Sequence, residues 1–519
     1  MRRAALIVIL IVVGALTASS VAAQQIDVQE YTLDNGLTFL MVPRPGDPNV
    51  AAGWVAKVGS VNERPGITGL SHLFEHMMFK GTRTIGTTDI DADLANIARM
   101  DDVKAELRVE EHDLARRVRL GEIDDIANPA NRSARHAELL AELMALEAKA
   151  ATLIVKNEFD QIYTTAGASG MNAGTDQDYT VYFINVPSNK LELWFWMESD
   201  RLLNPVLREF YAERSVVAEE RRLRTDSTPT GRFEEQFEAL FWNASPYGWP
   251  VVGWESDLEA ITRDEAQAYY DIYYAPNNLT AALVGDFDPE RAKELANQYF
   301  GRLPAGRTGA PPVRTREPRQ LAEVRMTAYA ETTPSVEIRY HSVADGHRDE
   351  PALVVLGSLL SGRTGRLYKS LVLENQVATG ARAGQTGLKW EGYFEFSGVA
   401  NRDHTPEDVE AALYAEIETL KTTLAGDREL QKVKNRFAAD TFRRVAGNFG
   451  LMIQLLIADA YRGWRSFNED PPRLAAVTAE DVQRVAQTYF VPERRAVAVY
   501  YRKPAVEQAS GPVAPGAER

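Results

Sequence analysis

The sequence predicts an α+β protein of two homologous domains, each with helices packed on one face of a mainly antiparallel sheet. Two observations lead there. "ITRDEAQAYYDIYYAPNNLTAALV" (261–284) and "VTAEDVQRVAQTYFVPERRAVAVY" (477–500) align without a gap, matching Thr262 to Thr478, Gln267 to Gln483, Tyr273 to Tyr489 and Pro276 to Pro492. Both copies read as helix, turn, strand, the order expected where helices lie against a sheet. In addition, a chain of 519 residues, 45% hydrophobic and 25% charged, is folded and too long for one ordinary core.

Taken in order, Arg2 and Arg3 precede an uncharged, mostly apolar run from Ala4 to about Ala18, and small residues follow at Ala22 and Ala23. This is the pattern of a secretory signal peptide over 1–23, too short for a bilayer-spanning helix. No later stretch could span a membrane. The chain has no cysteine, which excludes disulfides and thiolate chemistry and fits a bacterial periplasm. A net charge of −15 argues against nucleic acid or an anionic membrane surface as a general partner.

The N-terminal domain is expected over 24–303. "NGLTFLMV" (35–42) and "NVAAGWVAKVGS" (49–60) read as strands. Leu70, Leu73, Phe74 and Met77 recur at helical spacing. Residues 101–158, rich in Ala, Glu, Leu and Arg and broken at "IANPANRS", predict an inserted hairpin of two amphipathic helices. "SGMNAGTDQDYTVYFINV" (169–186) reads as a long strand or hairpin, and 189–203 and 207–226 as helices. The stretch 304–318, "PAGRTGAPPVRTREP", reads as a linker, 319–503 as the second domain without a metal site, and 504–519 as a disordered tail.

Chemistry concentrates in "GLSHLFEHMMFKGT" (69–82), which holds two of the seven histidines. His72 and His76, at i and i+4, share one helix face and can aim two imidazoles at one ion. A catalytic zinc takes three protein ligands and keeps one position for water, and Glu75 beside the pair can serve as general base. The other histidines show no comparable spacing.

The His-x-x-Glu-His order is the inverzincin signature. With "LDNGLTFLMV" before it and "FKGT", "MNAGTDQDYTVYF", "AERSVVAEE" and "SPYGWPVVGW" after it, the sequence resembles the pitrilysin/insulinase family of zinc metallopeptidases, which includes mitochondrial processing peptidase. The resemblance covers nearly all of the first domain, and the repeat extends it to the second.

That resemblance implies Zn2+ as cofactor, with Glu220 of "ERSVVAEE" as third ligand beside His72 and His76, and Glu213 supporting the site without binding the metal. Glu219 is the competing carboxylate, about 100° around the helix from Glu220. It also implies that Asn172 and Ala173 bind substrate by backbone pairing, the manner of an added strand. Gly174 stands where the family often has an aromatic residue. A second departure bears on activity. Single-chain family members carry in the later domain an arginine and, seven residues on, a tyrosine, and the aligned positions here are Val372 and Thr379. The resemblance therefore implies a periplasmic zinc endopeptidase subunit, working as a heterodimer with a family member that lacks zinc ligands and supplies the Arg and Tyr. The two would enclose a chamber for peptides or unfolded segments. A homodimer active without a distinct partner is the alternative assembly, and a non-catalytic assembly or chaperone-like role the alternative function.

Overall fold

A computed structural model describes residues 25–126, 128–306 and 309–504. The expected signal peptide (1–23) and all but the first residue of the expected tail lie outside this range. Among the described residues, no helix is long and apolar enough to cross a membrane.

Helices and strands are mixed, with a six-stranded and a five-stranded sheet. The strands are β1 (Gln29–Thr32), β2 (Thr38–Pro43), β3 (Asn49–Ala56), β4 (Ser169–Thr175), β5 (Thr180–Pro187), β6 (Leu279–Gly285), β7 (Val324–Ala330), β8 (Ser335–His341), β9 (Ala378–Gly387), β10 (Gly392–Ala400) and β11 (Arg495–Arg502). The first sheet runs β1-β2-β6-β3-β5-β4 and the second β7-β11-β8-β10-β9. The sequence repeat reappears as topology. β6 and β11 end the two aligned stretches, and each lies between a parallel and an antiparallel neighbour: β6 pairs parallel with β2 and antiparallel with β3, and β11 parallel with β7 and antiparallel with β8. The helices before them start alike: Thr262 with Glu265, and Thr478 with Asp481, form reciprocal capping boxes.

Contacts divide the chain into two compact units. The first comprises residues up to Glu219, Pro250–Arg314 and Asn435–Ala475; the second comprises Glu220–Trp249, Thr315–Lys434 and residues from Ala476 onward. Each unit thus takes in a stretch that the sequence reading assigns to the other domain.

In the first unit the sheet is covered on both faces, not one. Phe39, Met41, Ala52, Trp54 and Tyr182 belong to the larger core. Leu40, Val42, Ala51, Val55 and Val284 face the other way and pack with Leu451, Met452, Leu455 and Leu456 of the helix Asn448–Tyr461. The reason is visible in the strands: β3 is buried at seven consecutive positions and β6 throughout, the mark of strands buried on both sides. Lys57 and Thr280 both bond Asp459 of that helix, at 2.8 and 2.6 Å. In the larger core Glu198 accepts from Trp54 Nε1 and Tyr163 OH, each at 2.7 Å, and pairs with Arg201. The Arg201 guanidinium lies 5.0–5.4 Å from the rings of Trp54, Phe79, Phe159 and Tyr182, so its charge is matched by a carboxylate and by aromatic faces.

The helical hairpin is present as Ile90–Arg119 and Ala134–Leu153, joined through Met100, Val103, Leu107, Leu139 and Leu143. Its first helix starts before residue 101 because the Asp89 side chain accepts from the N–H groups of Asp91 and Ala92 and caps it there. The base of the hairpin is fixed by Arg208, whose side chain is 1% exposed. It pairs with Asp93 at 2.5 Å and donates to the carbonyls of Lys80, Thr82 and Ile85 at 2.6–3.0 Å.

Candidate metal centre

The histidine pair lies on the short helix Leu70–Met77. Gly69 starts it in a left-handed conformation, φ +89°, and a Cβ there would meet Val252 O at 2.5 Å, so this position requires glycine. Glu63 accepts from the N–H groups of Gly69 and Ser71, at 2.8 and 2.7 Å, which satisfies two of the free donors at the start of the helix. Burial pushes the Glu63 pKa up to about 8, against the pull of those two N–H groups. Phe74, on the inner face, packs on Tyr269, Tyr270 and Tyr274 at 5.3–5.9 Å. With Leu70, Leu73 and Phe74 buried, His72 and His76 are left on a shared face, their rings 5.0 Å apart and nearly perpendicular.

The helix Phe210–Arg221 brings the acidic residues. It is anchored by buried Phe210 and Val217 and carries Glu213 and Glu220 two turns apart. One ligand atom from each of His72, His76 and Glu220 lies within 4.8 Å of the others. Glu219, the competing carboxylate, is not in this group. Two imidazoles and a carboxylate are a donor set that fits zinc. Glu220 also pairs with Arg224 at 2.6 Å.

Glu213 stands behind the pair: its Oε2 is 3.3 Å from His76 Nδ1 and its Oε1 is 2.5 Å from Lys80 Nζ. An ionised carboxylate only accepts, so Nδ1 carries the proton and Nε2 keeps its lone pair for a metal. Burial pushes the Glu213 carboxyl up, but the bonds from His76 and Lys80 outweigh it and hold the pKa below the ordinary value. Lys80 also reaches Glu209 at 3.4 Å.

Glu75 is partly buried and accepts from Thr175 Oγ1 at 2.7 Å. Thr175 ends β4, the edge of the first sheet, whose described partner is β5 alone. Asn172 and Ala173 lie on this strand, and Asn172 Oδ1 accepts from the Ala173 N–H at 2.9 Å. At Gly174 a Cβ would meet nothing within 4 Å, leaving open space beside the strand. Sequence reasoning missed Thr175 and Lys80 as parts of this site. Their signals were adjacency to "MNAG" and a place four residues after His76 in "FKGT".

In the second unit Val372 falls in the helical segment Tyr368–Glu374, and Thr379, on β9, is exposed. Of the nearby cations, Arg366 forks onto Glu429 at 3.0 and 2.8 Å.

Residues 38–108, which include the histidine motif, match the family described as insulinase (peptidase family M16), and residues 260–437 match the peptidase M16 inactive domain. Both matches are to models of M16, insulinase/pitrilysin, family domains. The chain is 26% identical over 472 residues to the "Zinc protease PqqE" of Helicobacter pylori, covering 89% of this chain and 90% of that one. It is 21% identical to the "Uncharacterized zinc protease YmxG" of Bacillus subtilis, covering 79% and 82%. The fold is shared with a protease from Helicobacter pylori at TM-score 0.74, with 24% identity and coverage of 92% of this chain and 99% of that one. The periplasmic protease PqqL of Escherichia coli matches at TM-score 0.66 and 18% identity, over 93% of this chain and 48% of PqqL. Glu213 and Glu220 lie outside both matched stretches.

Proposed function

We propose that this chain is the zinc-bearing subunit of a periplasmic endopeptidase that cleaves peptides or unfolded segments. The observation that carries the reading is the convergence of His72, His76 and Glu220, with Glu75 beside them and an edge strand leading to Glu75. His72, His76 and Glu220 would hold zinc, which supplies a Lewis acid for the scissile carbonyl and for water. Substrate backbone pairs with β4 at Asn172 and Ala173, which recognises peptide with little demand on sequence. Glu75 takes a proton from the attacking water and returns one to the leaving amine. Glu213 orients His76 without touching substrate. Glu213→Ala should weaken zinc binding by about 10–100-fold, read by competition with a chromophoric chelator; unchanged affinity would remove Glu213 from the site.

Val372 and Thr379 can neither pair with substrate nor donate to an oxyanion as an arginine and a tyrosine can. Loss of one oxyanion donor costs about 10²–10³-fold in rate, so the proposal includes a partner subunit that lacks zinc ligands and brings both groups, the two subunits enclosing a chamber. The test is cleavage of a quenched mixed-peptide library by the zinc-loaded mature chain, alone and co-expressed with its neighbouring gene product. Activity only in the co-expressed sample is the expected result, and equal activity from the chain alone would remove the partner from the scheme.

A second reading, a non-catalytic assembly or chaperone-like subunit, is favoured by those same two positions and by the match of residues 260–437 to an inactive domain. Zinc binding without cleavage in either sample would support it.

A further inference from the structure

The hydrogen bond between Thr175 and Glu75 joins the candidate base to the strand proposed to receive substrate. We infer that Thr175 is a positioning residue for Glu75, fixing which carboxylate oxygen faces the attacking water. This rests on the role proposed above for Glu75.

The contact has a defined sense. An ionised carboxylate has no proton to give, so the Thr175 hydroxyl donates, and the 2.7 Å separation from Oε2 suits a charge-assisted bond. Oε2 is thereby engaged, and Oε1 is the oxygen left to take a proton. Without this bond, the glutamate side chain on the surface of the motif helix has several rotamers open to it. With it, the carboxylate has one preferred orientation.

Thr175 can impose that orientation because its own place is overdetermined. It pairs with Thr180 at the end of the β4–β5 hairpin, and the Asp176 N–H donates to Tyr179 O at 2.9 Å to close the turn. The turn is held from outside by the loop before the motif helix: the Val61 N–H donates to Gln177 O at 2.9 Å and the Ser60 N–H to Asp176 O at 3.4 Å. This approach depends on Gly59, where a Cβ would lie 2.2 Å from Asp176 O and 2.5 Å from Gln177 O. Threonine is also β-branched, so χ1 is stiff once the strand is fixed. A serine in the same frame would keep the donor with a freer rotamer, and a valine would keep the shape without the donor.

The consequence is geometric coupling. A peptide strand added at Asn172 and Ala173 takes its register from the same rigid hairpin end that aims Glu75. Water, base and scissile carbonyl therefore share one frame, and a misplacement of about 1 Å in such a frame costs about a hundredfold in rate.

The test uses the full chain, zinc-loaded and with its partner where activity requires one. Thr175→Val should lower kcat about a hundredfold while KM and zinc affinity stay at wild-type values, and Thr175→Ser should recover most of the loss. Crystals of Thr175→Val should show the Glu75 carboxylate turned from its wild-type position. Wild-type kcat in Thr175→Val, a change in KM alone, no recovery by serine, or an unmoved Glu75 carboxylate would each overturn the inference. If the wild-type chain shows no Glu75-dependent cleavage, the peptidase reading fails by itself, and the crystallographic comparison still decides whether Thr175 positions Glu75.

Discussion

Glu75→Gln should reduce kcat/KM on a quenched peptide by about 10²–10⁴-fold while zinc remains bound in the same amount as in the wild type. The substitution keeps the shape of the side chain and can still accept from Thr175 Oγ1, so helix and strand stay in place. What is lost is basicity: an amide cannot hold the proton that leaves water at the step forming the new C–O bond. His72, His76 and Glu220 are untouched, and zinc content by atomic absorption checks that directly. Cleavage at the wild-type rate with full zinc would take Glu75 out of the mechanism. Loss of zinc together with activity would instead mean that Glu75 contributes to the metal site.

The largest expected effect on stability is at Arg208. Arg208→Ala strips the partner from Asp93, 1% exposed, and leaves the carbonyls of Lys80, Thr82 and Ile85 without this donor. Breaking a buried ion pair by removing one member costs about 3–5 kcal/mol, because the remaining charge stays buried and uncompensated. Urea unfolding should show that loss as a lower midpoint. The double variant Arg208→Met with Asp93→Leu should recover part of it, since neither charge is then left alone. A shift below about 0.5 kcal/mol, the range of ordinary surface changes, would show that the pair is not buried in solution. Because the three carbonyls belong to the loop following the motif helix, zinc affinity measured on the same variant reports how far the site depends on this anchor.

How much could be read beforehand depended on how local each feature is. His72, Glu75 and His76 were legible because helical spacing alone puts both imidazoles on one face. Glu220 was not legible from spacing. It sits on another helix, and only a family resemblance points to it; one of its ligand atoms lies within 4.8 Å of those of the two histidines. The repeat was legible, and its capping boxes and parallel strand pairs reproduce it in three dimensions. Thr175 and Lys80 escaped because a single hydroxyl or ammonium meeting a carboxylate leaves no periodic mark. The makeup of the two units escaped for a related reason. "NFGLMIQLLIADAY" (448–461) announces a buried helix through its apolar content, but nothing in it says which sheet it covers. The unbroken apolar run of β3 was the available sign that a second cover was needed.

That cover has a bearing on how the protein comes into being. β1 to β6 are all synthesised by residue 285, yet Leu451, Met452, Leu455 and Leu456, which close one face of their sheet, follow only after a long intervening stretch of chain. Until they arrive, Leu40, Val42, Ala51, Val55 and Val284 form an uncovered apolar surface. Contacts so distant in sequence form slowly, because a long loop must close before they contribute. A nascent or truncated chain ending near residue 303 would therefore hold the histidine motif and both acidic residues while remaining sticky and incompletely folded. The candidate ligands precede the helix that covers their sheet, so completion of the site waits on Asn448–Tyr461.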